Sequence, residues 1–137
     1  MSSLFDLTGH VALITGGNSG IGLGMAHGLA QSGADVCIWG TNTERNDAAV
    51  QELSKHGTRV RAVRCDVSDE AAVDASFAET LDYFGRVDSC FANAGRPATG
   101  TRFLETTLDQ FRWVTQVNLD GAFLTFQIGR ASCRERV

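Results

Sequence analysis

No hydrophobic run in this chain approaches the length of a membrane span, so a membrane partner is not expected. The opening "MSSLFDLTGH" lacks the basic stretch and apolar core of a secretory signal. Excess positive charge is also missing. The formal net charge is −4, which argues against a nucleic-acid-binding face. None of the four cysteines forms a C-x-x-C pair, and Cys37, Cys65 and Cys90 sit in apolar, strand-like runs. They read as buried, reduced thiols of a cytoplasmic protein. His10, His27 and His56 cluster with nothing along the chain, so no metal site is expected. Proline and tyrosine occur once each, as Pro97 and Tyr83.

What is present is globular. Hydrophobic residues make up 43% and charged residues 20%, and 137 residues allow one domain with a core. A strand–helix rhythm runs through the body. "HVALIT" (10–15) is an apolar run stopping at glycines, and residues 20–32 read as a helix closed by Gly33. "ADVCIW" (34–39) is a second strand. Thr43 is the expected cap of a helix that shows Ala49, Val50 and Leu53 on one face. "RVRAVRC" (59–65) is a third strand. Ser68 is the expected cap of a helix presenting Val73, Phe77, Leu81 and Phe84. "VDSCFA" (87–92) is a fourth strand. A loop over 93–106 leads to one long expected helix over 107–127, interrupted in composition by Asn118 and Gly121. Alternation of this kind means βαβ units: an α/β fold with a parallel sheet covered by helices on both faces.

The strongest chemical signal is "TGGNSGIG" (15–22), between the first strand and the first helix. Gly16, Gly20 and Gly22 are spaced G-x-x-x-G-x-G. Glycine serves where the backbone turns with positive φ, and where a pyrophosphate must approach without meeting a Cβ. Free N–H groups at the helix start, with the helix dipole, favour an anion there. Asn18 and Ser19 offer side-chain donors beside Ile21. No Gly-Lys-Ser/Thr closes the loop, which excludes a P-loop, and the G-x-G-x-x-G spacing is absent.

That spacing resembles the short-chain dehydrogenase/reductase family, and further segments match in order. "CDVSD" (65–69) follows strand three, "NAG" (93–95) follows strand four, and "VNLDGAF" (117–123) resembles the segment around an active-site asparagine. The resemblance covers residues 5–127. It implies a three-layer, Rossmann-like, doubly wound parallel sheet with strand order 3-2-1-4, truncated in this chain. It implies that Asp66 and Val67 lie against an adenine, and that Asn93, Ala94 and Gly95 stand beside the cofactor. It further implies that Asn118 disturbs its helix and serves the proton relay. Read alone, Asp66 is a turn cap and Asn93–Gly95 a tight turn. Asn118 is less easily explained that way, because asparagine suits a helix interior poorly.

The implied reaction is hydride transfer between a nicotinamide and a ketone or secondary alcohol. The cofactor choice is set after the second strand, in "WGTNTERN". No acid stands there to bind ribose hydroxyls, and Thr41, Asn42 and Arg45 can receive a 2′-phosphate, so NADP is favoured with NAD open. Ser19, where many NADP-using relatives carry a basic residue, argues the other way. The family's serine and Tyr-x-x-x-Lys are absent: Tyr83 has Val87 four places on. The intact protein is expected to be a homodimer or homotetramer acting on a small alcohol or ketone, and this chain to be inactive. A non-catalytic dinucleotide-binding module and a methyltransferase are the alternatives.

The tail "IGRASCRERV" (128–137) departs from the family pattern. Its ten residues can be encoded by a DNA string that matches a common sequencing adapter. Residues 1–127 are therefore expected to be the N-terminal part of a dinucleotide-binding domain, and 128–137 a non-native tail. Such a piece would leave strand four as an exposed apolar edge and the long helix with a bare outer face, and would tend to aggregate.

Overall fold

The computed structural model describes residues 4–98 and 100–134, the last four of these by backbone only. Four strands form one parallel sheet: β1 (Val11–Thr15), β2 (Asp35–Gly40), β3 (Val60–Arg64) and β4 (Ser89–Phe91). Their order is β3-β2-β1-β4, as the resemblance implied. Ala12 pairs with Val36 on one side and Ser89 on the other, so β1 lies at the centre of the switch in strand order.

Side-chain alternation along the strands divides the core in two. Ala12, Ile14, Val36 and Ile38 face α1 (Gly20–Gln31) and α2 (Thr43–Leu53), where Ala26, Ala30, Ala49 and Leu53 are buried against them. Val11, Leu13, Cys37 and Trp39 face the other way, onto Val73, Phe77 and Phe84 of α3 (Glu70–Phe84). The same layer receives Val117, Leu124 and Ile128 from the C-terminal helices. Trp39 is buried there with its indole N–H donated to Thr80 Oγ1 at 3.1 Å, and that hydroxyl donates onward to the Ser76 carbonyl at 2.8 Å.

The expected helix over 107–127 is three segments. α4 (Leu108–Thr115) starts on a capping box formed by Thr107 and Gln110, and α5 spans Ala122–Arg134. Between them Gln116–Gly121 form a π-helical turn. The turn falls where Gly121 lies so close to Val67 that a Cβ would stand 2.6 Å from Val67 Cγ2. π-turns of this kind re-aim side chains and concentrate at functional sites. α5 continues past Gln127 without a break, and the expected boundary at that residue leaves no mark on the helix.

Two caps differ from expectation. Asn42, not Thr43, caps α2, its Oδ1 accepting from the Arg45 N–H at 2.9 Å. Asp69, not Ser68, caps α3, accepting from the Ala72 N–H at 3.1 Å. Ser68 is spent elsewhere, since its hydroxyl donates to Asp66 Oδ1 at 2.6 Å. Cys37 and Cys65 are buried as expected, but Cys90 is only half-buried because β4 is an edge strand. Burial pushes the Cys37 and Cys90 thiols up to about 11. The fold also joins two histidines that are distant in sequence: His27 Nδ1 lies 2.9 Å from His56 Nε2. Among the described residues, no three metal-ligating groups converge.

Candidate functional site

The C-terminal ends of all four strands open onto one cavity of about 300 Å³. Open α/β sheets bind ligands at this position, in the crevice where strand order reverses. All four of its walls come from segments singled out in sequence; three are Gly16, Asn18 and Ser19 after β1, Thr41, Asn42 and Arg45 after β2, and Asp66 and Val67 after β3. Asn93, Ala94 and Gly95 supply the fourth, after β4.

The glycine loop is built for close approach. Gly16 and Gly20 have φ of +66° and +54°, where a side chain would strain the backbone. Gly22 has ordinary helical geometry, but a Cβ there would collide with the Gly16 carbonyl and come within 2.5 Å of Asn93 Nδ2. The start of α1 differs from the other helix starts, because Ser19 makes no side-chain cap bond, whereas α2, α3 and α4 are each capped by a side chain. N–H groups at the head of α1 are therefore left without a side-chain cap, directly after Ser19 of the cavity wall, an arrangement that suits an anion.

Side-chain bonds tie the walls together. Thr15 Oγ1 accepts from the N–H groups of Asn93 and Ala94, both at 3.0 Å. The Asn93 amide returns the tie, donating to the Thr15 carbonyl at 3.1 Å. Asn18, expected to offer a donor to the ligand, instead donates to Asn46 Oδ1 at 2.8 Å, and Asn46 donates to the Gly40 carbonyl at 2.9 Å. This chain of amides locks the glycine loop to the end of β2. Asp66 Oδ1 accepts from both the N–H and the hydroxyl of Ser68, and the hydroxyl bond chiefly holds its carboxyl below the ordinary value. Arg96 and Arg64 add to that lowering.

Not every candidate lines the cavity. Gly20, Ile21 and Gly22 are absent from its walls, and Ile21 is 76% exposed. Asn118 is exposed and is not among the lining residues. Its Oδ1 accepts from the Arg96 N–H at 2.7 Å, and its amide donates to the Arg96 carbonyl at 3.0 Å. Both bonds hold the turn that follows Gly95. Tyr83 is remote from the cavity, on α3, with the Arg61 guanidinium 4.8 Å over its ring.

Several site residues were not anticipated. Thr15 and Asn46 fasten the walls, while Trp39, Gly40, Cys65, Arg96 and Val117 help line the cavity. Arg96 had a signal within reach, because it directly follows the Asn93–Gly95 turn. Asn46 had none, being one polar residue in a polar helix.

Comparison with known proteins agrees with this geometry. The model of the short chain dehydrogenase family matches residues 10–132. The chain belongs to that family. The methyltransferase alternative falls with this assignment. A 2,5-dichloro-2,5-cyclohexadiene-1,4-diol dehydrogenase of Sphingobium indicum is 38% identical over 119 residues, which are 87% of this chain and 46% of that protein. An NADP-dependent mannitol dehydrogenase of Alternaria alternata is 35% identical over 127 residues, 90% of this chain and 47% of that one. The structure of an NAD+-bound xylitol dehydrogenase superposes with a TM-score of 0.92 at 28% identity, covering 95% of this chain and 50% of that one. The chain spans about half the length of the curated relatives it matches.

Proposed function

We propose that the cavity binds NADP, with NAD as the weaker alternative, and that the intact protein transfers hydride between a nicotinamide and a small ketone or secondary alcohol. The observation that carries this reading is the uncapped head of α1, which follows directly on Ser19 in the cavity wall. Its N–H groups receive the pyrophosphate, and Gly16, Gly20 and Gly22 let the anion approach the backbone. Arg45 and Thr41 line the side of the cavity after β2, where they receive a 2′-phosphate. Asn42 spends its carbonyl oxygen on capping α2, which leaves its amide N–H groups to donate. Asp66 and Val67 hold the adenine. Asn93, Ala94 and Gly95 line the far wall, and Asn118 keeps that wall in place for the proton relay. A bound nicotinamide supplies or takes up the hydride.

The serine and the Tyr-x-x-x-Lys that would hold and move the substrate proton have no counterpart in these residues. We assign them to a natural continuation beyond Gln127, read residues 128–137 as foreign to the protein, and expect this chain alone to be inactive. The intact protein is then a homodimer or homotetramer.

Calorimetric titration of the chain with NADPH and NADH tests the cofactor reading. Saturable binding is expected, tighter for NADPH, with the preference reduced in Arg45→Ala. Absence of saturable binding by either dinucleotide refutes it. Resequencing the source DNA across codon 127 tests the tail: uninterrupted genomic reads through all ten codons refute its foreign origin.

A further inference from the structure

Arg96 is tied to the C-terminal helices in two separate ways. Its backbone N–H and carbonyl are both bonded to the Asn118 amide. Its side chain goes to Trp113, donating to that residue's carbonyl at 3.2 Å with the guanidinium 4.7 Å over the indole ring. Trp113 lies in the last turn of α4, directly before the π-turn that carries Asn118. Arg96 itself lines the cavity, and the neighbouring Gly95 has so little room that a Cβ would stand 3.3 Å from Asn118 Oδ1. A guanidinium suits this position, because one planar group stacks on the ring and donates to the carbonyl beside it.

We infer that Arg96 is a positioning residue whose guanidinium clamps the 93–96 wall of the cavity to Trp113, so that filling the cavity is felt at that tryptophan. The inference rests on the dinucleotide reading above. The bonds to Asn118 use only the backbone of residue 96, so Arg96→Ala removes the side-chain clamp and leaves those bonds. Lysine keeps the charge over the ring but loses the planar fork, so Arg96→Lys should lie between the two.

The test is titration of the full chain with NADPH, read by calorimetry and by tryptophan emission, in wild type, Arg96→Ala, Arg96→Lys and Trp113→Phe. Trp39 and Trp113 are the only tryptophans, so the difference between wild type and Trp113→Phe isolates the Trp113 signal. Wild type is expected to show a saturable change in Trp113 emission. Arg96→Ala should bind roughly threefold to fivefold more weakly and lose that change, while its unfolding midpoint stays near wild type. Arg96→Lys should recover part of both. The inference is overturned if Arg96→Ala binds like wild type and keeps the Trp113 response. It is equally overturned if Arg96→Lys fails as fully as alanine and both lose affinity only in step with stability. If wild type binds neither NADPH nor NADH, the dinucleotide reading itself has failed and the clamp goes with it.

Discussion

Gly22→Ala sets helix propensity against packing. Gly22 lies in α1 with ordinary helical geometry, so alanine should stabilise the helix by roughly 1 kcal/mol. The tertiary structure opposes this. A Cβ at residue 22 would overlap the Gly16 carbonyl and come within 2.5 Å of Asn93 Nδ2. The first obstacle is backbone and cannot rotate away. Overpacking of this kind costs about 1–3 kcal/mol. The displaced Asn93 amide would also lose its bond to the Thr15 carbonyl, a further contribution of about 1 kcal/mol. Packing wins, and the net loss is about 1–3 kcal/mol. Gly24→Ala is the internal control, on the same helix and exposed, with nothing within 4 Å of the added Cβ. It should gain up to about 1 kcal/mol. Urea unfolding at low protein concentration, followed by Trp39 emission and circular dichroism, should separate the two variants by roughly 1–4 kcal/mol. Equal midpoints for Gly22→Ala and Gly24→Ala would refute the reasoning.

Thr80→Val leaves the buried Trp39 indole N–H without its acceptor, so a loss of about 1–3 kcal/mol is expected in urea unfolding. An unchanged midpoint would show that the bond contributes nothing. The Asp66 carboxyl is held below its ordinary value of 3.8, so its bonds to Ser68 add stability above that pH, and this stability is lost as pH falls through the lowered value. Asp66→Asn should therefore flatten the acid side of the pH–stability curve, by a small amount because the group is only partly buried. A parallel curve for wild type and variant would sink the idea. Leu119, Phe123 and Phe126 are each more than 60% exposed along the outer face of the C-terminal helices, and β4 is an unpaired edge, so the chain should self-associate with rising concentration. Sedimentation that shows a monomer with a cooperative melt at all concentrations would contradict this.

Much of the fold was legible because it is written in short-range pattern. The alternation of Val11, Ala12, Leu13 and Ile14 between two core layers follows from strand geometry, and the helices between strands follow from their apolar spacing. The caps were less legible. Thr43 and Ser68 have suitable side chains, but Thr43 is already the first residue inside α2, Ser68 stands one residue before the capping position of α3, and Ser68 is bonded to Asp66. The interruption of the C-terminal helix was legible at Asn118 and Gly121, both of which lie in the π-turn, but its division into α4, a π-turn and α5 was not. The contacts of Gly121 with Val67 and of Asn118 with Arg96 accompany the change of register.

The candidate site divides along the same line. The sequence by itself determined that a glycine turn follows the first strand and that polar segments follow the next three, since turn chemistry depends on neighbours along the chain. Only the tertiary structure decided that these four segments enclose one cavity, that Asn18 is spent on Asn46, and that Asn118 holds the backbone of Arg96. It also decided that Arg96 reaches Trp113 and His27 reaches His56. Those partners lie many positions apart. Their meeting depends on strand order and helix packing, which local propensity and periodicity do not encode.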